Sequence, residues 1–142
     1  MTATLIDGTA IAADIRQKIA ARVAELTAAT GRKPGLATVL VGEDPASQAY
    51  VRMKGKNSLE AGMESFSYKL PATASQEEVE GLVRDLNANS AVNGILVQLP
   101  LPKHLDEEAI LAEYPYLERQ DIRAALSYAA ALAEEEVVEF AR

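Results

Sequence analysis

A chain of 142 residues suffices for one ordinary domain with a real core, and 49% hydrophobic against 25% charged residues is a globular composition. Cysteine is absent, which excludes disulfides, thiolate metal sites and cysteine nucleophiles, and a single histidine, His104, leaves no metal-ligand cluster. Fourteen basic and 21 acidic residues give a net charge of −7, weighted toward the C-terminus, so nucleic acid is not an expected partner.

No apolar run is long enough to span a bilayer and the N-terminus has no signal-peptide pattern, so a cytoplasmic location and no membrane partner are expected. The first element is a helix. Ile11, Ile15, Ile19, Val23 and Leu26 recur every three or four residues, which lays one apolar face along it, and Gly31 followed by Lys33-Pro34 stops it. Leu36 to Val41 is short, apolar and β-branched, and reads as a buried strand. Gly42 ends it, Glu43-Asp44-Pro45 turns, and a second helix begins near Ala46 and stops near Gly62. Ser65 to Leu70 alternates polar and apolar, the pattern of a strand with one face covered.

Ser75-Gln-Glu-Glu78 has the form of a capping box, and the helix it opens sets Val79, Leu82, Val83 and Leu86 on one face. Gly81 inside that helix costs about 1 kcal/mol of propensity. Gly94 to Val97 is the third strand, and Asp106 caps a short helix from Glu107 to about Glu113, closed by Tyr114-Pro115. A last helix is predicted from near Glu118 almost to Arg142, with Ile122, Leu126, Ala129, Leu132 or Ala133, Val137 and Phe140 as its apolar stripe. Its four late glutamates (134, 135, 136 and 139) sit where the helix dipole disfavours anions. Strands alternating with helices over these crossover lengths predict an α/β fold. The expectation is a three-layer open sheet of mainly parallel strands with helices on both faces, ending in a long amphipathic C-terminal helix.

A strand that ends in a tight loop and opens a helix is where open α/β sheets bind ligands. On the helix after that loop, Tyr50 and Lys54 are four residues apart and share a face. Such a pair can stack on a flat substrate and handle protons; it is also the spacing of a half-buried ring beside a solvated charge.

The run Val41 to Lys56, together with Gly94-Ile-Leu-Val-Gln-Leu-Pro-Leu-Pro-Lys-His-Leu105 and Ile6-Asp-Gly-Thr-Ala-Ile11, resembles the N-terminal domain of the bifunctional methylenetetrahydrofolate dehydrogenase/cyclohydrolase family. The likeness covers about residues 1–112. It implies that Lys54 is the catalytic residue, that Gln98 hydrogen-bonds and orients it, and that Tyr50 stacks on the folate. Ser47, within the signature loop, assists in substrate binding, while Pro100 and Pro102 shape the cleft rim, with a cis peptide at one of them as an option. A lysine in an apolar cleft is a usable proton donor and acceptor. The rival reading makes Lys54 a surface charge, Gln98 a strand-end cap and the prolines loop stiffeners. His104 reads as a solvated loop histidine.

Past residue 112 the chain departs from that family. No Asp-Val-Asp-Gly stretch follows, and none of the eight glycines forms a G-x-G pair, so no dinucleotide fingerprint is present. NADP, the cofactor of the intact family, is therefore not expected, and hydride transfer without it is not either. Residues 107–142 resemble part of an antitoxin-like helix-turn-helix family of unknown function. The two likenesses share Glu107-Glu-Ala-Ile-Leu111, as in a chimera joined by engineering or recombination. The expected organisation is a single domain, 1–142, in which a grafted helical segment, 113–142, packs on the folate-enzyme-like part, 1–112. The expected function is a folate-binding, catalytic-lysine half-domain with little or no catalysis and weak binding of a tetrahydrofolate derivative. The alternative is an interaction module that forms a homodimer through its last helix.

Overall fold

The computed structural model describes residues 7–112. Seven elements follow in order: α1 (Gly8–Thr30), β1 (Gly35–Val41), α2 (Pro45–Glu60), β2 (Glu64–Leu70), α3 (Gln76–Ala88), β3 (Gly94–Val97) and α4 (Glu107–Ala112). The three strands form one sheet in the order β2-β1-β3, parallel throughout. The parallel sheet and the helices that alternate with its strands agree with the α/β expectation. The predicted last helix and the antitoxin-like stretch beyond Ala112 lie outside the described residues.

The β1–α2–β2 and β2–α3–β3 connections run in opposite directions across the sheet, so right-handed crossovers place α2 and α3 on opposite faces. Side-chain alternation along β1 serves both faces. Ala37, Val39 and Val41 join Val79, Val83 and Leu86 of α3 and Ile110 of α4 in one buried cluster, while Thr38 and Leu40 are buried on the other side. β1 is thus covered on both faces, as its unbroken apolar run requires.

The helix ends are set by local chemistry. Asp7 accepts from the amides of Thr9 and Ala10 to open α1, and Gly31 closes it in the left-handed conformation. Ser75 and Glu78 form the reciprocal capping box of α3, the Ser75 amide reaching Glu78 Oε2 at 2.7 Å. Asp106 accepts from the amides of Glu108 and Ala109 at the start of α4.

The apolar stripe read along α1 is mostly not buried. Only Val23 is, while Ile11, Ile15, Ile19 and Leu26 remain 43–50% exposed among the described residues. In its C-terminal third Val23 Cγ1 lies 3.4 Å from the place a Cβ on Gly62, in the turn after α2, would take, and just beyond the helix Arg32 donates to the Ser90 carbonyl in the loop before β3.

Candidate active site

The site forms at the carboxyl ends of β1 and β3. Gly42 turns the chain off β1 with φ +92°, a conformation a side chain would strain, and its amide donates to the Leu70 carbonyl at 2.9 Å. Asp44 then caps α2 and Pro45 takes the first helical position, where its missing N–H costs nothing. The Ser47 amide donates to Asp44 Oδ2 at 2.7 Å, and this bond holds the Asp44 carboxyl below its ordinary value of 3.8. An Asp-Pro pair before a helical run is a cap signal as well as a turn.

From this start α2 carries Tyr50 and Lys54 on one face, with the Lys54 Nζ 6.0 Å from the Tyr50 ring centroid. Across the cleft the amide of Gln98 extends the β1–β3 ladder by donating to the Val39 carbonyl at 2.8 Å, which fixes its backbone at the strand end. The Lys54 ammonium donates to Gln98 Oε1 at 2.6 Å. Gln98 Nε2 in turn donates to the Leu99 carbonyl, also at 2.6 Å. The reverse orientation of that amide would set its NH₂ against the ammonium and its oxygen against a carbonyl, so both neighbours select the same one.

Ser47 lies elsewhere than expected. It occupies the first turn of α2, not the loop, and is only 2% exposed. Its hydroxyl donates to the Leu99 carbonyl at 3.3 Å, so it faces the loop after β3 instead of open cleft. The Leu99 carbonyl therefore ties α2 to Gln98 through two donors. Backbone oxygens carry no residue signature, and nothing in the sequence pointed to this one. The Leu99–Pro100 peptide is cis, Pro100 is exposed at the mouth and Pro102 is half-buried. Tyr50 and Leu99 are each 52% exposed, which leaves the cleft open to solvent on this side among the described residues.

His104 is exposed in its loop, as expected, and also makes a hydrogen bond. Its Nε2 lies 2.9 Å from the Ala74 carbonyl, and a bond to that acceptor requires a proton on this nitrogen. Lys69 and Glu43 pair at 3.1 Å where β2 ends beside the loop after β1, an exposed contact the sequence did not single out. No group of three or more potential metal ligands occurs among the described residues, and no helix there is long and apolar enough to cross a membrane.

The family described as tetrahydrofolate dehydrogenase/cyclohydrolase, catalytic domain, matches residues 6–116. The chain belongs to this family. The bifunctional protein FolD of Erythrobacter litoralis is 60% identical over 112 residues, covering 79% of this chain and 38% of that protein. Its counterpart in Sphingopyxis alaskensis is 61% identical over 110 residues, covering 78% of this chain and 36% of that one. Among solved structures, the methylenetetrahydrofolate dehydrogenase-cyclohydrolase of Trypanosoma brucei, complexed with NADP cofactor and inhibitor, superposes with a TM-score of 0.75. It is 43% identical, covering 80% of this chain and 39% of that one. A Bombyx mori methylenetetrahydrofolate dehydrogenase gives a TM-score of 0.76 at 29% identity, covering 79% and 39%. The chain spans less than two-fifths of the length of these curated relatives, and the part it spans is the catalytic domain.

Proposed function

We propose that residues 7–112 are the folate-binding, proton-handling half of a methylenetetrahydrofolate dehydrogenase/cyclohydrolase. The observation that carries this is the 2.6 Å bond from the Lys54 ammonium to Gln98 Oε1 at the sheet's carboxyl edge. In this reading Lys54 moves protons at the one-carbon bridge of a tetrahydrofolate derivative. Gln98 aims the amine, and Tyr50 lies against the flat pterin or aminobenzoyl ring. Pro100 and Pro102 form the rim, and Ser47 acts by holding the Leu99 carbonyl.

The residues described do not fit NADP. Both strand-to-helix turns on this edge that open a helix of more than two turns have a first-turn amide taken by the chain's own capping side chain, Ser47 N–H at α2 by Asp44 and Glu78 N–H at α3 by Ser75. A pyrophosphate at the α2 terminus would also meet the Asp44 carboxylate. Hydride transfer by these residues alone is therefore not part of the proposal. Opening of a methenyl bridge needs only water and a proton carrier. With the cleft open beside Tyr50 and Leu99, water and substrate are poorly held, and turnover is expected to be slight.

The proposal extends to the chain's organisation. Residues 1–142 act as one domain, in which 113–142 is a joined segment packing on 1–112. The family match ends at residue 116 while the chain continues to 142, which supports reading the chain as a chimera.

The test is an amide NMR titration with a methenyl- or methylene-tetrahydrofolate analogue, on the parent and on Lys54→Ala. Shifts centred on Tyr50, Lys54 and Gln98, with affinity falling about tenfold in the variant, are expected for loss of one charge-assisted contact. Equal affinity in the two proteins would mean that any binding lies at another site.

A further inference from the structure

The sequence face most at odds with the fold is the apolar side of α1. Ile15, Ile19, Val23 and Leu26 line an open groove of about 400 Å³, bordered by Lys18 and Arg22. The stripe from Ile11 to Leu26 is about 22 Å long at helical rise, and four of its five large aliphatics stand about half exposed. Such a continuous aliphatic strip on one helix marks a docking surface.

A segment of this same chain matches it in length and charge. The sequence stripe from Ile122 to Phe140 is about 27 Å long at the same rise. Residues 118–142 carry six carboxylates and three arginines, whereas α1 carries Arg16, Lys18 and Arg22 against Asp14 and Glu25. The cations bordering the groove are not locked away. Lys18–Asp14 and Arg22–Glu25 are pairs at 2.7 and 2.9 Å between side chains more than half exposed, and such pairs contribute little by themselves. Glu134 to Glu136 and Glu139 are the carboxylates that a neighbouring row of cations would neutralise.

The other apolar groove is a poorer match. It holds about 270 Å³ between β3, the loop after it and α4, and the one charged group that lines it is the Glu107 carboxylate, which repels an acidic segment.

We propose that residues 118–142 lie along the apolar face of α1, covering Ile11, Ile15, Ile19 and Leu26 with their own stripe and setting their glutamates beside Lys18 and Arg22. This rests on the single-domain reading given above and commits it to one surface. The segment then completes the packing of α1, on a groove whose lining includes none of Tyr50, Lys54 and Gln98.

The chain has no cysteine, so Ser127→Cys gives a single attachment point for a nitroxide in the full-length protein. Paramagnetic broadening of the α1 amides from Ile15 to Leu26 is expected, restored by reducing the label. It must be absent when isotope-labelled protein without a nitroxide is mixed with spin-labelled, unenriched protein. The double variant Lys18→Glu, Arg22→Glu should recover most of the lost α1 signal while the sheet resonances stay in place. Broadening at Ile95, Leu101 and Ile110 instead would overturn the choice of surface and keep the single-domain reading. Broadening in the mixed sample would mean that a second copy is the occupant. No broadening anywhere in 7–112 would overturn both the docking and the single-domain reading, with the folate site untouched by either result.

Discussion

The contact between Lys54 and Gln98 can be weighed on its own by a double-mutant cycle of Lys54→Met and Gln98→Met. Both changes keep an unbranched stem of similar length and remove only the polar ends. In the Gln98 variant the Leu99 carbonyl retains the Ser47 hydroxyl, so no buried acceptor is orphaned. In the Lys54 variant the glutamine oxygen can turn to water, since both side chains are only half-buried. A hydrogen bond to a charged group contributes about 1.5–3 kcal/mol when desolvated. The half-exposed ammonium regains part of that from water, so a coupling energy of about 1 kcal/mol is expected. Urea unfolding of the four proteins at neutral pH measures it, provided the slopes agree. A coupling within about 0.3 kcal/mol of zero would refute the reasoning, because sites that do not touch add to within that margin. The geometry would then be one the side chains visit without preferring.

Gly35→Ala is expected to destabilise the chain by about 3 kcal/mol or more, seen as a lost or strongly shifted unfolding transition. Its Cβ would fall 2.0 Å from the Ala91 carbonyl oxygen and 2.9 Å from Phe66 Cε2, beyond what ordinary overpacking costs. Gly81→Ala should do the opposite and raise stability by about 1 kcal/mol, as the position is helical and only the Arg84 guanidinium tip comes within 4.0 Å. Acid should weaken the fold through the helix caps. Hydrogen bonds from Ser47 to Asp44 and from Ser75 to Glu78 hold both carboxyls below their ordinary values of 3.8 and 4.5. A lowered folded-state value means the unfolded chain binds more protons. The stabilisation is therefore present above those ordinary values and is lost as pH falls through the lower folded ones. Asp44→Asn with Glu78→Gln should flatten the acid limb of a stability–pH curve, and an unchanged limb would place the acid sensitivity elsewhere.

What could be read from the sequence was local. Gly31 and Gly62 as stops, the Ser75–Glu78 box and the three short strand patterns, two apolar and one alternating, each depend on a few neighbouring residues, and each is found within a residue or so of its expected place. Parallel order followed as well, since crossovers of this length leave little choice. The contents of the cleft were legible only in part. Tyr50 and Lys54 are one turn apart by periodicity alone, but Gln98 joins them because a second crossover sets β3 beside β1, 44 residues away from Lys54. Ser47 was misplaced for a related reason: its buried hydroxyl answers to a carbonyl 52 residues on, which no spacing rule describes. His104 likewise found Ala74 across 30 residues.

The α1 stripe separates two statements that hydrophobic periodicity tends to merge. Spacing of three and four says which residues share a face; it does not say that the face is covered by what precedes or follows nearby. In α3 the two coincide, with Val79 and Val83 fully buried against β1. In α1 they do not, although its stripe is longer and more regular. The difference is positional. α3 crosses the sheet between two strands that pair with β1, so its apolar side must meet the sheet, whereas α1 precedes the first strand, and among the described residues Val23 and Arg32, in and just past its C-terminal third, make the contacts given above. The partner we propose for this face is the stripe predicted in 118–142. The folate cleft and the α1 face are thus separate problems: Lys54 and Gln98 are held by β1, α2 and β3, and none of those contacts runs through α1. Loosening the C-terminal segment should then lower stability while leaving the Lys54–Gln98 coupling unchanged.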